Sequence, residues 1–183
     1  MEKIILGIDP GTTVMGYGLI KIEGKKMSVI TIGVINLKKY TDHYLKLQKI
    51  YNRLDGLIEE FCPDEMALEA PFYGKNVQSM LKLGRAQGVA MAAGLKYNIP
   101  ITEYAPRKIK VAITGTGTAS KEQVAAMLSK MLKTEASPEY LDATDALAVA
   151  VCHYYQISNP ILKDAGGAKT WKEFVANNPK RVK

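Results

Sequence analysis

Apolar residues along this chain fall into runs and stripes that predict its elements. IILGID is an unbroken apolar run ending on Asp9, the pattern of a strand buried on both faces. VMGYGLIKI follows a Pro-Gly-Thr-Thr turn, and its Gly16 and Gly18 mark a bend or a close approach by another element. After Glu23-Gly24-Lys25-Lys26 comes SVITIGVINL, and the short connections predict an antiparallel meander. Over residues 42–61 the period becomes helical: Leu45, Leu47, Ile50, Leu54, Leu57, Ile58 and Phe61 form a broad stripe that stops at Pro63. EMALEA is a short apolar strand carrying Glu69. Residues 76–97 read as a helix rich in small residues, among them Gly84, Gly88 and Gly94. Glycine weakens a helix, so these positions imply that another backbone packs very close.

NIPITEYAP is a fifth strand, and residues 107–113 are a short helix leading into TGTGTAS. Ser120 caps the helix KEQVAAMLSKMLK, with Gln123 at the capping-box position. Ser137-Pro138 opens the last main helix, which runs through LDATDALAVAVCHYYQ. The order β-β-β-α-β-α-β-α-α-α predicts an α/β fold with a mixed five-stranded sheet, three antiparallel strands then two parallel, flanked by helices. Beyond residue 158 the pattern fades into a basic tail that includes Lys163, Lys169, Lys172, Lys180, Arg181 and Lys183. The expected division is a domain of residues 1–157 and a tail of residues 158–183.

Composition narrows the options. With 183 residues, 47% of them hydrophobic, the chain can bury one sizeable core but not two α/β lobes. That excludes the two-lobed ATPases, which share the strand-turn-strand opening and its Gly-Thr-Thr loop. The net charge of +7 favours an anionic partner such as nucleic acid. Cys62 and Cys152 lie far apart and read as buried thiols of a reducing compartment. With no signal-peptide pattern and no membrane-length apolar run, a soluble, cytoplasmic protein is expected.

The acids carry the chemistry. Asp9 and Glu69 end apolar strands, and Asp142 and Asp145 lie three apart on an apolar helix. Residues at i and i+3 share a helix face. Carboxylates on a buried face are costly without a compensating charge. A divalent cation would supply it, and oxygen-only ligands select Mg2+ or Mn2+. Two such ions about 3.5–4 Å apart could activate a water and stabilise the leaving oxygen of a phosphodiester. His43 and His153 stand apart and read as surface or packing residues.

GIDPG with GYG, then LEAPFYGKN, LKLGRAQG and DATDALAVAVCH, strongly resemble the RuvC family of Holliday junction resolvases. The resemblance implies a ribonuclease-H-like fold and a homodimer that cuts four-way DNA junctions with symmetric nicks in recombination and repair. It implies Mg2+ held by Asp9, Glu69, Asp142 and Asp145, with Mn2+ as a substitute and two ions per subunit. It also implies catalytic roles for Lys110 and Lys121, which could neutralise the scissile phosphate. Phe72 or Tyr73 would contact bases at the crossover, Lys75, Lys82 and Arg85 would follow the DNA backbone, and Gly84 and Gly88 would lie at the dimer interface. The partners implied are the RuvA and RuvB branch-migration proteins.

Overall fold

The structure, a computed structural model, describes residues 2–71, 76–133, 141–158 and 175. Its centre is β1 (Glu2–Asp9), whose Ile5, Leu6 and Ile8 are fully buried. β1 pairs antiparallel with β2 (Val14–Glu23), which pairs antiparallel with β3 (Lys26–Asn36). On its other side β1 pairs parallel with β4 (Glu65–Glu69), and β4 pairs parallel with β5 (Ile101–Tyr104). The sheet order is β3-β2-β1-β4-β5. This is the predicted ribonuclease-H-like mixed sheet, with the meander on one flank and the parallel additions on the other.

Strand alternation divides β1 between two layers. Leu6 and Ile8 join a core with Ile50, Leu54, Leu57 and Ile58 of α1 (His43–Phe61) and with Ala86, Ala90 and Ala93 of α2 (Val77–Lys96). Asp42 caps α1 through its side chain, which accepts from the Leu45 N–H. Cys62 closes α1 in the left-handed region at φ 45° and is exposed, against the expected burial. It stands one residue past the apolar stripe, where the chain turns off the core. Cys152 is buried as expected.

Gly7 and Asp9 share the opposite parity and face α5 (Leu141–Ser158). A Cβ on Gly16 would sit 2.7 Å from the Asp142 carbonyl carbon, one on Gly7 2.7 Å from the Ala150 nitrogen, and one on Gly18 3.0 Å from the Leu147 Cα. Backbone lies directly on backbone here, so the choice between a bend and a close approach falls to close approach. Ala146 and Ala150 complete the small-residue contact. Gly16→Ala should therefore push the first turn of α5 off the sheet. An overpacking cost of about 1–3 kcal/mol is expected, with a lower melting temperature. An unchanged melting curve would show that α5 has room to move.

α3 (Pro106–Thr114) extends the predicted helix by a residue at each end, with Pro106 at its start, a position that needs no N–H. α4 (Lys121–Leu132) opens with the predicted capping box of Ser120 and Gln123. The predicted start of α5 at Ser137-Pro138 lies outside the described residues. His153 is a packing residue, as expected, but a bonded one. Its Nδ1 is 2.8 Å from the Tyr104 hydroxyl and its Nε2 meets Glu65, which also pairs with Lys3. This buried polar chain ties β1, β4, β5 and α5 together.

The chain divides into compact units of residues Met1–His153 and Tyr154–Lys183. In the second unit the described residues are 154–158 and 175, and the rings of Tyr154 and Tyr155 lie 5.6 Å apart.

Candidate active site

Parallel register places the first two acids. Ile8 pairs with Leu68, so β1 and β4 end together and deliver Asp9 and Glu69 side by side at one end of the sheet. The close seat of α5 on Gly7, Gly16 and Gly18 brings Asp142 and Asp145 to the same point. Carboxylate oxygens of Asp9, Asp142 and Asp145 all lie within 4.8 Å of one another. Glu69 stands outside that group but lines the adjoining cavity of about 230 Å³ with Asp9, Asp145, Lys110 and Lys121. Its apolar wall is Ile109, Val124 and Ala148.

The electrostatics follow from this crowding. Burial, then the charges of Glu69 and Asp145, push the Asp9 carboxyl up to about 8. Burial and the Asp145 charge also raise Glu69, with Lys121 and Lys110 opposing them. Burial pulls the Lys121 ammonium down, but its hydrogen bond to Asp145 and the charges of Asp145, Asp9 and Asp142 outweigh that and hold it above the ordinary lysine range. Lys121 forms an ion pair with Asp145 and lies 3.8 Å from Asp142. Carboxylates on rigid elements, repelling one another and partly held by one ammonium, suit a hard divalent cation with oxygen ligands. The donor set therefore fits Mg2+ or Mn2+.

The other expected site residues divide. Lys110 and Lys121 reach the cavity. Lys82 and Arg85 are exposed on α2 and do not line it. Phe72, Tyr73 and Lys75 lie outside the described residues. Gly84 and Gly88 have nothing within 4 Å of an added Cβ, so among the described residues no backbone of this chain packs on them. They share an exposed stripe with Val77, Leu81 and Leu95. By contrast, Gly94 packs on Met66 and Ile101.

Sequence reading missed the second contribution of Lys121, the ion pairing that holds the acids together. The capping box at Ser120 was the available signal, because it fixes where the first side chain of α4 points. A basic cluster at residues 38–53 was also missed; its lysines are spread over a loop and a helix.

Among known proteins, the family model described as crossover junction endodeoxyribonuclease RuvC matches residues 5–153. The crossover junction endodeoxyribonuclease RuvC of Cytophaga hutchinsonii is 61% identical, over 100% of this chain and 90% of its own length. The one from Bacteroides fragilis is 60% identical, over 100% and 97%. Of solved structures, Thermus thermophilus RuvC in complex with Holliday junction substrate superposes with a TM-score of 0.79 at 28% identity, covering 85% of this chain and 94% of that one. Fold, acid placement and these likenesses over the whole length agree: the chain belongs to the RuvC family of crossover junction endodeoxyribonucleases.

Proposed function

We propose that this chain is the catalytic subunit of a homodimeric, Mg2+-dependent endonuclease that resolves four-way DNA junctions by paired symmetric nicks, in DNA recombination and repair. The convergence of Asp9, Asp142 and Asp145 beside Glu69, Lys110 and Lys121 at one end of the sheet carries this reading. Asp9, Glu69, Asp142 and Asp145 would hold the cation, with Mn2+ as a substitute and room for two ions. When bound, it would supply charge neutralisation and a water activated for attack on the phosphodiester. The chain's own residues orient and neutralise. Lys121, anchored between Asp145 and Asp142, offers an ammonium to the phosphate oxygens where charge develops, and Lys110 offers a second from α3. The apolar wall of Ile109, Val124 and Ala148 limits bulk water and strengthens both interactions.

Lys75, Lys82 and Arg85 would contact the DNA backbone, and Phe72 or Tyr73 the bases at the crossover. A two-fold dimer on a nearly two-fold junction would present one site to each of two strands. The exposed stripe Val77, Leu81, Gly84, Gly88, Leu95 supports α2 as its interface. Gly88→Leu should give a monomer by sedimentation while leaving the subunit folded, because a Cβ there meets nothing among the described residues. An unchanged dimer would move the interface elsewhere. The family match ends at residue 153, which supports reading residues 158–183 as a basic tail beyond the nuclease domain. Among the described residues no helix is long and apolar enough to cross a membrane. Action on chromosomal DNA implies the cytoplasm, beside RuvA and RuvB.

The decisive experiment is nicking of a synthetic mobile four-way junction, with Mg2+ and with chelator, beside plain duplex and folded RNA. Paired symmetric nicks in the junction alone, lost with chelator, are expected. Degradation of RNA without junction cleavage would overturn the reading.

A further inference from the structure

A second basic surface lies at the same end of the sheet as the acids, on the flank formed by β3. Lys38, Lys39 and Tyr40, just after β3, and Lys49 and Arg53 of α1 line an open groove whose floor includes Val34. Among the described residues no carboxylate pairs with these cations. Three of them, Lys39, Lys49 and Arg53, lie over rings instead. The Lys39 and Lys49 ammonium groups lie 5.3 and 5.9 Å from the centre of the Tyr40 ring. Arg53 donates to the Tyr17 hydroxyl at 2.7 Å and stacks on that ring. Unpaired cations gathered on one surface are normally dispersed by their own repulsion, so their convergence calls for an anion.

The groove is also mounted on the active site. Asp9 pairs with Gly16, and Gly16 with Val34, so a single row across the sheet runs from the acid to the groove. The Leu37 N–H donates to the Thr13 carbonyl at 2.9 Å, and Lys46 Nζ to the Thr12 carbonyl at 3.2 Å, fixing both walls to the turn that follows Asp9. Two strand spacings, about 10 Å, separate Asp9 from Val34 in the groove floor; the cations stand beyond Val34, with Lys49 and Arg53 on the α1 side of the sheet.

We propose that this groove binds the phosphate backbone of a junction arm on the β3 side of the scissile phosphate; the proposal rests on the junction-nuclease reading above. Its role is to align the arm with the acids. No base is read there, since Lys and Arg contacts to phosphate carry no sequence information.

The test compares two double variants that remove the same charge from opposite ends of β3. K38Q/K39Q alters the groove; K25Q/K26Q alters the distant β2–β3 turn. Junction affinity is measured in chelator across a range of salt. K38Q/K39Q should flatten the log–log salt slope by about 2 and weaken binding on the order of tenfold near 0.1 M salt, with little change in K25Q/K26Q. Equal losses in both would mean that only net charge matters and would overturn the proposal. Neutral methylphosphonates placed one phosphate at a time along the arm should, at one position, weaken wild-type binding but add nothing in K38Q/K39Q. Equal weakening in both proteins at every position would also overturn it. Because chelator abolishes cleavage, these slopes stand apart from the nuclease reading, which falls only if the wild type with Mg2+ leaves junctions intact.

Discussion

Asp9→Asn should abolish junction cleavage, by 10³-fold or more, and at the same time make the metal-free protein more stable above neutral pH. Cleavage is lost because the amide removes one negative charge from the set of Asp9, Asp142 and Asp145. Junction binding should persist, since the phosphate-binding lysines are untouched. The stability gain follows from the raised carboxyl of Asp9, at about 8 against an ordinary 3.8. Between those values the folded chain keeps a proton that the unfolded chain has released. The unfolded state then binds fewer protons, so stability falls as pH rises through that window. Asparagine carries no charge and escapes the penalty. A gain of about 5 kcal/mol, or about 10–20 °C for a chain of this size, is expected at pH 8 in chelator, and almost none near pH 4. Calorimetry at both pH values checks it. A variant no more stable than the wild type at pH 8 would mean that the buried carboxylate costs the fold nothing. Mg2+ should reverse the order, because it binds the folded wild type and stabilises it by mass action.

Lys121→Gln should lower the cleavage rate at saturating Mg2+ by about 10²–10³-fold, the range seen when one hydrogen-bond donor to a developing oxyanion is removed. The same change removes the ammonium that pairs with Asp145 and faces Asp142. The acids are then less compensated, so the Mg2+ concentration for half-maximal rate should stay the same or fall. The two readouts separate the roles of this residue. If excess Mg2+ restores the full rate, Lys121 only positions the carboxylates. If the rate stays low at any Mg2+, its charge acts on the phosphate.

These opposed effects have one origin. The site gathers like charges at the ends of β1 and β4 and beneath α5, where the fold alone would favour neutral side chains. Lys121 offsets part of the repulsion, and the remainder is what gives the site its affinity for a cation. The nearby buried chain Lys3–Glu65–His153–Tyr104 shows the contrasting solution. There each polar group meets a partner from this chain, and Lys3 and His153 together hold the Glu65 carboxyl below its usual range despite burial. Charge satisfied internally stabilises the fold; charge left over points outward to ligands.

Much of this was legible in the residues alone. The runs IILGID and EMALEA placed Asp9 and Glu69 at strand ends because they are too short for a packed helix and are bounded by Pro10, Pro63 and Pro71. The spacing of Asp142 and Asp145 put them on one helix face, and Ser120 with Gln123 marked the start of α4. Local chemistry decides such features, and local sequence carries it. Only the tertiary structure could decide which element comes down on Gly16 and Gly18, that Glu69 stands beside the three-acid cluster, that Lys121 reaches across 24 residues to Asp145, and that Cys62 turns outward. It also decided that Gly84 and Gly88 meet no other part of the described chain and that Lys39 meets Lys49 around Tyr40. Each of these depends on the distance between residues far apart in the chain, which is set by how helices pack on the sheet and has no counterpart in local spacing.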